Sequence, residues 1–494
     1  MQARFFLLAT VVLLACNRDH NLGVLDLAGP TNDGGAIDVA PDSFSAVTSC
    51  PSLAGSPSGV APLPTPAQVA YQRTELTASI HFGLNTFDGT EEGDPSKDSP
   101  SLFNPTNLDA TQWVRALKAA GFQQALLVVK HYTGFCLWPS AYTEFSVKNS
   151  PWKNGQGDVV REFVDAVHAE GMRVAFYISP RDDHYPSSNA TYGDYFKNLL
   201  TELLTNYGPV YEIVWPGYAT SNPLDWKEIA QLAHRLQPEV LVWMAPEIAA
   251  AGADVRYSGN QYGRGSRSTS AIGSVPNGGP SNVWYPAEGQ LSDRGPTRWF
   301  WHPNNSVISL GDLQAAYFNT VGMNATLILN VPPAATGQLD TPDVDLLQQF
   351  GTWYSSLYKT NLVQGQPVAA DSTWAIPGFA AAMAVDGNTC TYWAAQDGQT
   401  SARLEVAPTA AIEIGLVSIR EPIELGERTT AYHVEIKRNG IWNRSPTDAS
   451  GATIAGTVIG QRQLWRLGST TADAIALVID AAKAAPAIAE FAVY

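Results

Sequence analysis

The sequence predicts a TIM-type (β/α)8 barrel followed by a C-terminal β-sandwich, and three observations carry that prediction. From about Thr65 to Tyr358, short continuous apolar runs such as Gln124–Lys130 alternate with segments of helical period. Continuous apolar strands between helices belong to a parallel sheet covered on both faces. The strands number about eight, which closes a barrel. Beyond residue 365 the texture changes to short alternating strands with closely spaced turns, as in a β-sandwich. A doubly wound open sheet is the alternative, but no GxGxxG follows the first strand.

Taken in order, residues 1–16 read as an export signal. Arg4, the apolar run Phe5–Leu14 and the small-residue end at Ala15-Cys16 fit that pattern, and the run is too short to span a bilayer. Leu13-Leu14-Ala15-Cys16 resembles the lipobox of bacterial lipoproteins. That implies an exported outer-surface or periplasmic protein, touching membrane only through a lipid on Cys16; an ordinary cleaved, secreted product is the alternative. Residues 17–64 are polar, rich in Gly, Asp, Ser and Pro, and lack an apolar period. They are expected to form a flexible linker.

The barrel is placed at residues 65–358. Its strands are expected at Leu76–Phe82, Gln124–Lys130, Arg173–Ser179, Val210–Trp215, Glu239–Met244, Val255–Tyr257, the Trp299 region and Leu327–Asn330. Helices fall between them. One runs from Asp109 to Ala120 with Trp113, Val114 and Leu117 on one side and Gly121 as its stop. Another is capped by Asp158 and ended by Gly171. Residues 365–494 form the sandwich, with strands such as Arg403–Val406, His433–Lys437 and Ala474–Ile479.

A formal net charge of −16 argues against nucleic acid or an anionic membrane surface as partner. Neutral ligands fit better. With Cys16 set aside, Cys50, Cys136 and Cys390 remain, widely spread and without CxxC spacing, so no metal site is expected and one disulfide of unknown pairing is possible.

The chemistry concentrates in Trp284–His302, where Trp284, Tyr285, Trp299, Phe300 and Trp301 surround Glu288, Asp293, Arg294, Arg298 and His302. Aromatic faces beside carboxylates and guanidinium groups suit a pyranose ring, the rings stacking on its C–H face. A carboxyl crowded by aromatic walls loses hydration, its pKa rises, and it can donate a proton near neutrality. The alternative is a packed aromatic loop with a rim carboxylate.

In order and spacing, the segment from His81 to Pro333 resembles the α-L-fucosidases of glycoside hydrolase family 29. The matching residues are His81-Phe82-Gly83, Glu91, Lys130-His131, Gly134 to Ser140, Tyr177 with Ser179-Pro180, Gly259-Asn260, Trp284, Pro286-Ala287-Glu288, Trp299-Phe300 and Asn330-Val331-Pro332-Pro333. The resemblance implies an exo-acting glycosidase on fucosylated or related glycans, without cofactor or metal. It implies sugar contacts at His81, Glu91 and His131, wall residues at Tyr177 and Trp299, and a general acid/base at Glu288. Ala384 to Asn388 with Thr391-Tyr392-Trp393 resembles the start of discoidin-type modules, many of which bind sugars.

Two departures stand out. The family's His-His-Asp-Gly is here His131-Tyr132-Thr133-Gly134, and where its fourth strand ends in a nucleophilic aspartate this chain has Pro216. Glu212 shares that strand face but lies about 13 Å deeper, at ~3.3 Å per residue. Asp182, Asp183 and Glu247, each just beyond a predicted strand, are the alternative carboxylates. A displaced carboxylate favours inversion, since retention needs two carboxyls ~5–5.5 Å apart and inversion tolerates ~6.5–9.5 Å. The rival expectation is an inactive glycan-binding protein on the same scaffold.

Overall fold

The computed structural model describes residues 50–185, 190–217, 224–258 and 261–494. The signal, Cys16 and most of the expected linker lie outside them, as do Tyr218, Gly259 and Asn260.

Eight parallel strands form the barrel: β1 (Leu76–Ile80), β2 (Gln124–Lys130), β3 (Arg173–Ile178), β4 (Glu212–Trp215), β5 (Leu241–Met244), β6 (Arg256–Tyr257), β7 (Ala287–Ser292) and β8 (Ala325–Asn330). They lie in the order β5-β4-β3-β2-β1-β8-β7-β6. A bridge between Trp243 and Val255, with Asp254 N donating to Val242 O over 2.8 Å, joins β5 to the approach of β6 and closes the ring. The helices obey the sequence signals. Asp109 caps the helix Ala110–Ala119 by accepting from Gln112 N, and Asp158 caps the helix Val159–Ala169 by accepting from Arg161 N.

Alternation along each strand divides two cores. Outward residues such as Leu127, Phe176, Ile213 and Val242 pack on the helices, while Leu126, Ala175, Val214 and Trp243 fill the barrel. Helix α1 (Pro66–Thr74) precedes β1 directly and inserts Tyr71 among those interior residues from the N-terminal end.

The seventh strand corrects the expectation, which put it at the Trp299 region. It is Ala-Glu-Gly-Gln-Leu-Ser, and Trp299 lies in the loop after it. Its inward residues Glu288, Gln290 and Ser292 are polar, so no apolar run marks it.

The C-terminal body is a sandwich. One sheet orders Val368–Ala370, Ala402–Val406, Ala474–Ala482, Thr429–Arg438 and Ile441–Asn443; the other orders Gln463–Ala472, Ile412–Arg420 and Glu490–Val493. Trp393, Val417, Val434, Trp465, Leu477 and Phe491 fill the space between them. Glu75, buried just before β1, binds the sandwich through Arg462 at 2.8 Å and Arg420 at 2.9 Å.

The linker needs a second correction. Residues 50–64 lie against the sandwich: Val60 N donates to Leu425 O at 2.8 Å, and Trp374 Nε1 to Gly55 O at 3.0 Å. Cys50 and Cys390 form the disulfide whose pairing the sequence left open, and Cys136 is a buried free thiol.

Candidate active site

A cavity of about 200 Å³, the scale of one sugar ring, opens among the barrel strands. Its floor is Leu126, Val214 and Ile328, and its walls carry His81, His131, Tyr132, Tyr177, Trp243 and Trp299. Several of these sit at or just beyond strand ends, because the loops that follow barrel strands gather at one face. Among the described residues, no aspartate or glutamate lines this cavity.

The two histidines are neutral and oriented. Asn330 Nδ2 donates to Ser292 Oγ at 3.0 Å and to Trp299 O at 2.8 Å, so its oxygen faces His81 Nδ1, 2.6 Å away. His81 therefore carries its proton on Nδ1 and leaves Nε2 as an acceptor. Burial holds its pKa down at about 4. Burial also pushes His131 well below its usual value, aided by His81, Arg181 and Lys130. Arg181, Tyr132, His131 and Tyr177 form a continuous stack. The guanidinium is 5.0 Å from the Tyr132 ring, Tyr132 is 3.9 Å from His131, and His131 is 5.9 Å from Tyr177.

Trp299 is clamped at both its backbone groups. Its carbonyl accepts from Asn330, and its N–H donates to Glu91 Oε2 over 3.0 Å. Glu91 does not line the cavity; it also lies 3.3 Å from His302 Nε2 and so helps fix the aromatic loop. We expect Trp299→Ala to weaken sugar binding about tenfold, the loss of one stacking face being worth ~1 kcal/mol or more. Calorimetric titration of both proteins with L-fucose checks this.

The carboxylates divide by location. Asp182 is buried against Lys130 at 3.2 Å and accepts from Tyr185 N at 2.6 Å. Asp183 binds Arg181 through two 2.9 Å contacts. Neither lines the cavity. Glu247 is exposed near Gly217, where an added Cβ would come within 1.7 Å of its Oε1 and 2.5 Å of Ala245 Cβ, so only glycine fits beside Pro216. Pro216 itself lines the cavity.

Glu288 is placed differently from the expectation. It pairs with Thr326 near the start of β7, whereas Ser292 pairs with Asn330 at the far end, about 13 Å further along at ~3.3 Å per residue. It is 0 % exposed, accepts from Tyr71 OH at 2.6 Å and from Gln290 Nε2 at 2.9 Å, and does not line the cavity. The desolvation argument still holds, since burial raises its pKa to about 7. The group simply lies beneath the floor. Glu212 is also fully buried; its Oε2 accepts from Gln124 at 2.6 Å, and burial with nearby Glu288 drives its pKa well above normal.

Because its pKa is raised on folding, Glu212 favours the native state at low pH and progressively less above its unfolded value of ~4.3. Glu212→Gln, always neutral, is therefore expected to melt above the wild type by a margin that grows from pH 5 to 8. Equal melting temperatures across that range would refute the buried, protonated state.

Gln261 and Gln290 are cavity residues that the sequence reading passed over. Gln261 follows β6 in a loop without apolar period, and Gln290 sits on the polar strand that was missed.

The α-L-fucosidase family model matches residues 80–357. The chain belongs to the α-L-fucosidase family. It is 33% identical over 463 residues to Alpha-L-fucosidase 1 of Arabidopsis thaliana, covering 89% of this chain and 88% of that one. Among solved structures it resembles a Ruminococcus gnavus GH29 fucosidase in complex with fucose, with TM-score 0.81 and 28% identity over 90% of this chain and 97% of that one. A glycoside hydrolase 29 family member from a rumen bacterium matches at TM-score 0.74 and 30% identity, over 89% and 78% of the chains. α-L-Fucosidase family membership supports a glycosidase assignment. The barrel-plus-sandwich architecture agrees with it.

Proposed function

We propose that this chain is an exported glycan-recognising member of the α-L-fucosidase family. It takes a terminal fucose-type residue into the barrel cavity and holds it without the two-carboxylate turnover of a glycosidase. The observation that carries this reading is the cavity wall. Pro216 and Gln261 line it, no described carboxylate does, and Glu288 is occupied below the floor by Tyr71 and Gln290. Hydrolysis of a glycoside needs a proton donor at the leaving oxygen and a carboxylate for the anomeric centre or its water. Recognition needs neither, and the stacked rings with a neutral, acceptor-oriented His81 serve it. A form of the R. gnavus relative carrying an Asp→Ala substitution is also solved with fucose bound.

A second reading rests on Glu247. Its carboxylate stands beside Gly217, where it could activate a water for slow inverting hydrolysis. The deciding experiment titrates the protein with L-fucose and follows an activated aryl α-L-fucoside by anomeric-product NMR. Binding without turnover is the expected result. Turnover with inversion that disappears in Glu247→Ala would favour the second reading, and no L-fucose binding would overturn the first.

A further inference from the structure

Gln290 reaches the cavity from β7 and is anchored from the opposite end of the barrel. Its Nε2 donates to Glu288 Oε1 at 2.9 Å, while Tyr71 OH from α1 donates to Glu288 Oε2 at 2.6 Å. Glu288 is 0 % and Tyr71 2 % exposed, so water does not compete for either bond. An ionised carboxylate can only accept. The amide of Gln290 must therefore turn its NH2 toward Glu288 and its oxygen away, toward the cavity it lines. That oxygen has no hydrogen-bond partner among the described residues.

We propose that Gln290 is a sugar-recognising residue presenting its carboxamide oxygen to a ligand hydroxyl, and that Glu288 and Tyr71 are the positioning residues that hold it so. The proposal rests on the reading of the cavity as a sugar site. Buried Glu288 thus serves the pocket through its neighbour, and needs no contact with the reacting atoms.

The chain of bonds also has a second state. Burial keeps the Tyr71 phenol protonated, so it goes on donating to Oε2, and a proton taken up by Glu288 sits on Oε1. Glu288 then donates to the Gln290 oxygen, and the NH2 group faces the cavity. The pocket exchanges an acceptor for a donor. The ionisable groups facing Glu288 are Tyr71 from α1, Glu212 from β4, Tyr257 from β6 and Tyr285 just before β7. Burial pushes all four upward, so the three tyrosines stay neutral while Glu288 titrates. No lysine or arginine pairs with Glu288 among the described residues. Its value of about 7 puts the exchange near neutral pH.

Two measurements test this, one without ligand. In protein labelled with ¹⁵N at glutamine side chains, the Gln290 amide, assigned by its loss in Gln290→Leu, should titrate with a midpoint near pH 7. The signal should be pH-independent in Glu288→Gln. There Tyr71 fixes the new amide oxygen, and its NH2 donates upward as the protonated carboxyl would. In calorimetry, wild-type affinity for L-fucose should fall about five- to tenfold from pH 8 to 6, the scale of one exchanged hydrogen bond. Glu288→Gln should bind at the wild type's acid level at both pH values. A Gln290 signal that ignores pH in the wild type overturns the positioning chain, as does a Glu288→Gln variant keeping the wild-type profile. Absence of L-fucose binding at every pH overturns the sugar reading and the recognition role of Gln290, even where the amide titrates.

Discussion

Installing carboxylates at both Pro216 and Gln261 is expected to convert the pocket into a measurable α-L-fucosidase. Both residues line the cavity, one at the end of β4 and the other just after β6, so the two new groups would face a bound sugar from different walls. Gln261→Glu is isosteric. Pro216→Asp is tolerable because proline's fixed φ near −65° is open to aspartate and no backbone N–H is lost. The floor is apolar, which raises the pKa of a newly buried carboxyl and suits one of the pair to proton donation. General acid–base catalysis is typically worth ~10²–10⁴ in rate, and residues that act as a unit lose most of their effect singly. The double variant should therefore hydrolyse an activated aryl α-L-fucoside at least about 10²-fold faster than the wild type, and each single variant much less. Product NMR reads the geometry, since retention marks carboxyls ~5–5.5 Å apart and inversion ~6.5–9.5 Å. A double variant that folds and binds L-fucose but shows no turnover would mean that the cavity does not hold the sugar's anomeric centre between these walls. Repulsion from Glu247, close to position 217, is the physical reason to include a Glu247→Gln background in the series.

The sequence made the barrel legible and the site only partly so. Strands such as Gln124–Lys130 are buried throughout, and an apolar run has no other way to be read there. His81 and His131 directly follow such runs and Tyr177 lies near the end of one, and the structure brings them to one cavity with Trp299. β7 was not legible. Inside a closed barrel a polar side chain is stable when paired, and Glu288, Gln290 and Ser292 are each paired, so hydropathy gives no sign of the strand. Misplacing that strand put Glu288 among the aromatic residues near its sequence, whereas the fold sets it beneath the floor with Tyr71, a partner 217 positions away. The desolvation was inferred correctly, the depth was not. Glu91 is a different case: its Oε2 accepts from two backbone N–H groups of a distant loop, a role that local sequence does not display.

Deleting residues through Pro64 is expected to destabilise the protein severely, whereas deleting residues 1–49 leaves its melting temperature unchanged. The difference is the segment 50–64, which reads as linker because it lacks an apolar period, yet its backbone hydrogen-bonds the sandwich and Leu53 packs on the cluster around Phe379 and Tyr392. Its disulfide joins residues 340 apart in sequence, and restraining so long a loop in the unfolded chain is worth about 6 kcal/mol in the loop-entropy model. Ser58 O accepts from Arg428, a side chain 1 % exposed whose other terminal nitrogen donates to Ala485 O at 2.8 Å. Removing Ser58 leaves a buried guanidinium donor without a partner, at a cost of about 1–3 kcal/mol or more for a charged group. Gly426 shows how close the segment packs: its φ is +81°, and a Cβ there would lie 2.1 Å from Val60 O. At roughly 2–4 °C per kcal/mol for a large domain, loss of the segment should lower the melting temperature by about 10 °C or more. The paired variant Cys50→Ala/Cys390→Ala separates the two contributions, since it keeps the docked backbone and removes only the cross-link. It should fall between the two truncations. A through-Pro64 deletion that melts with the wild type would show that the segment's contacts with the sandwich carry no net stability.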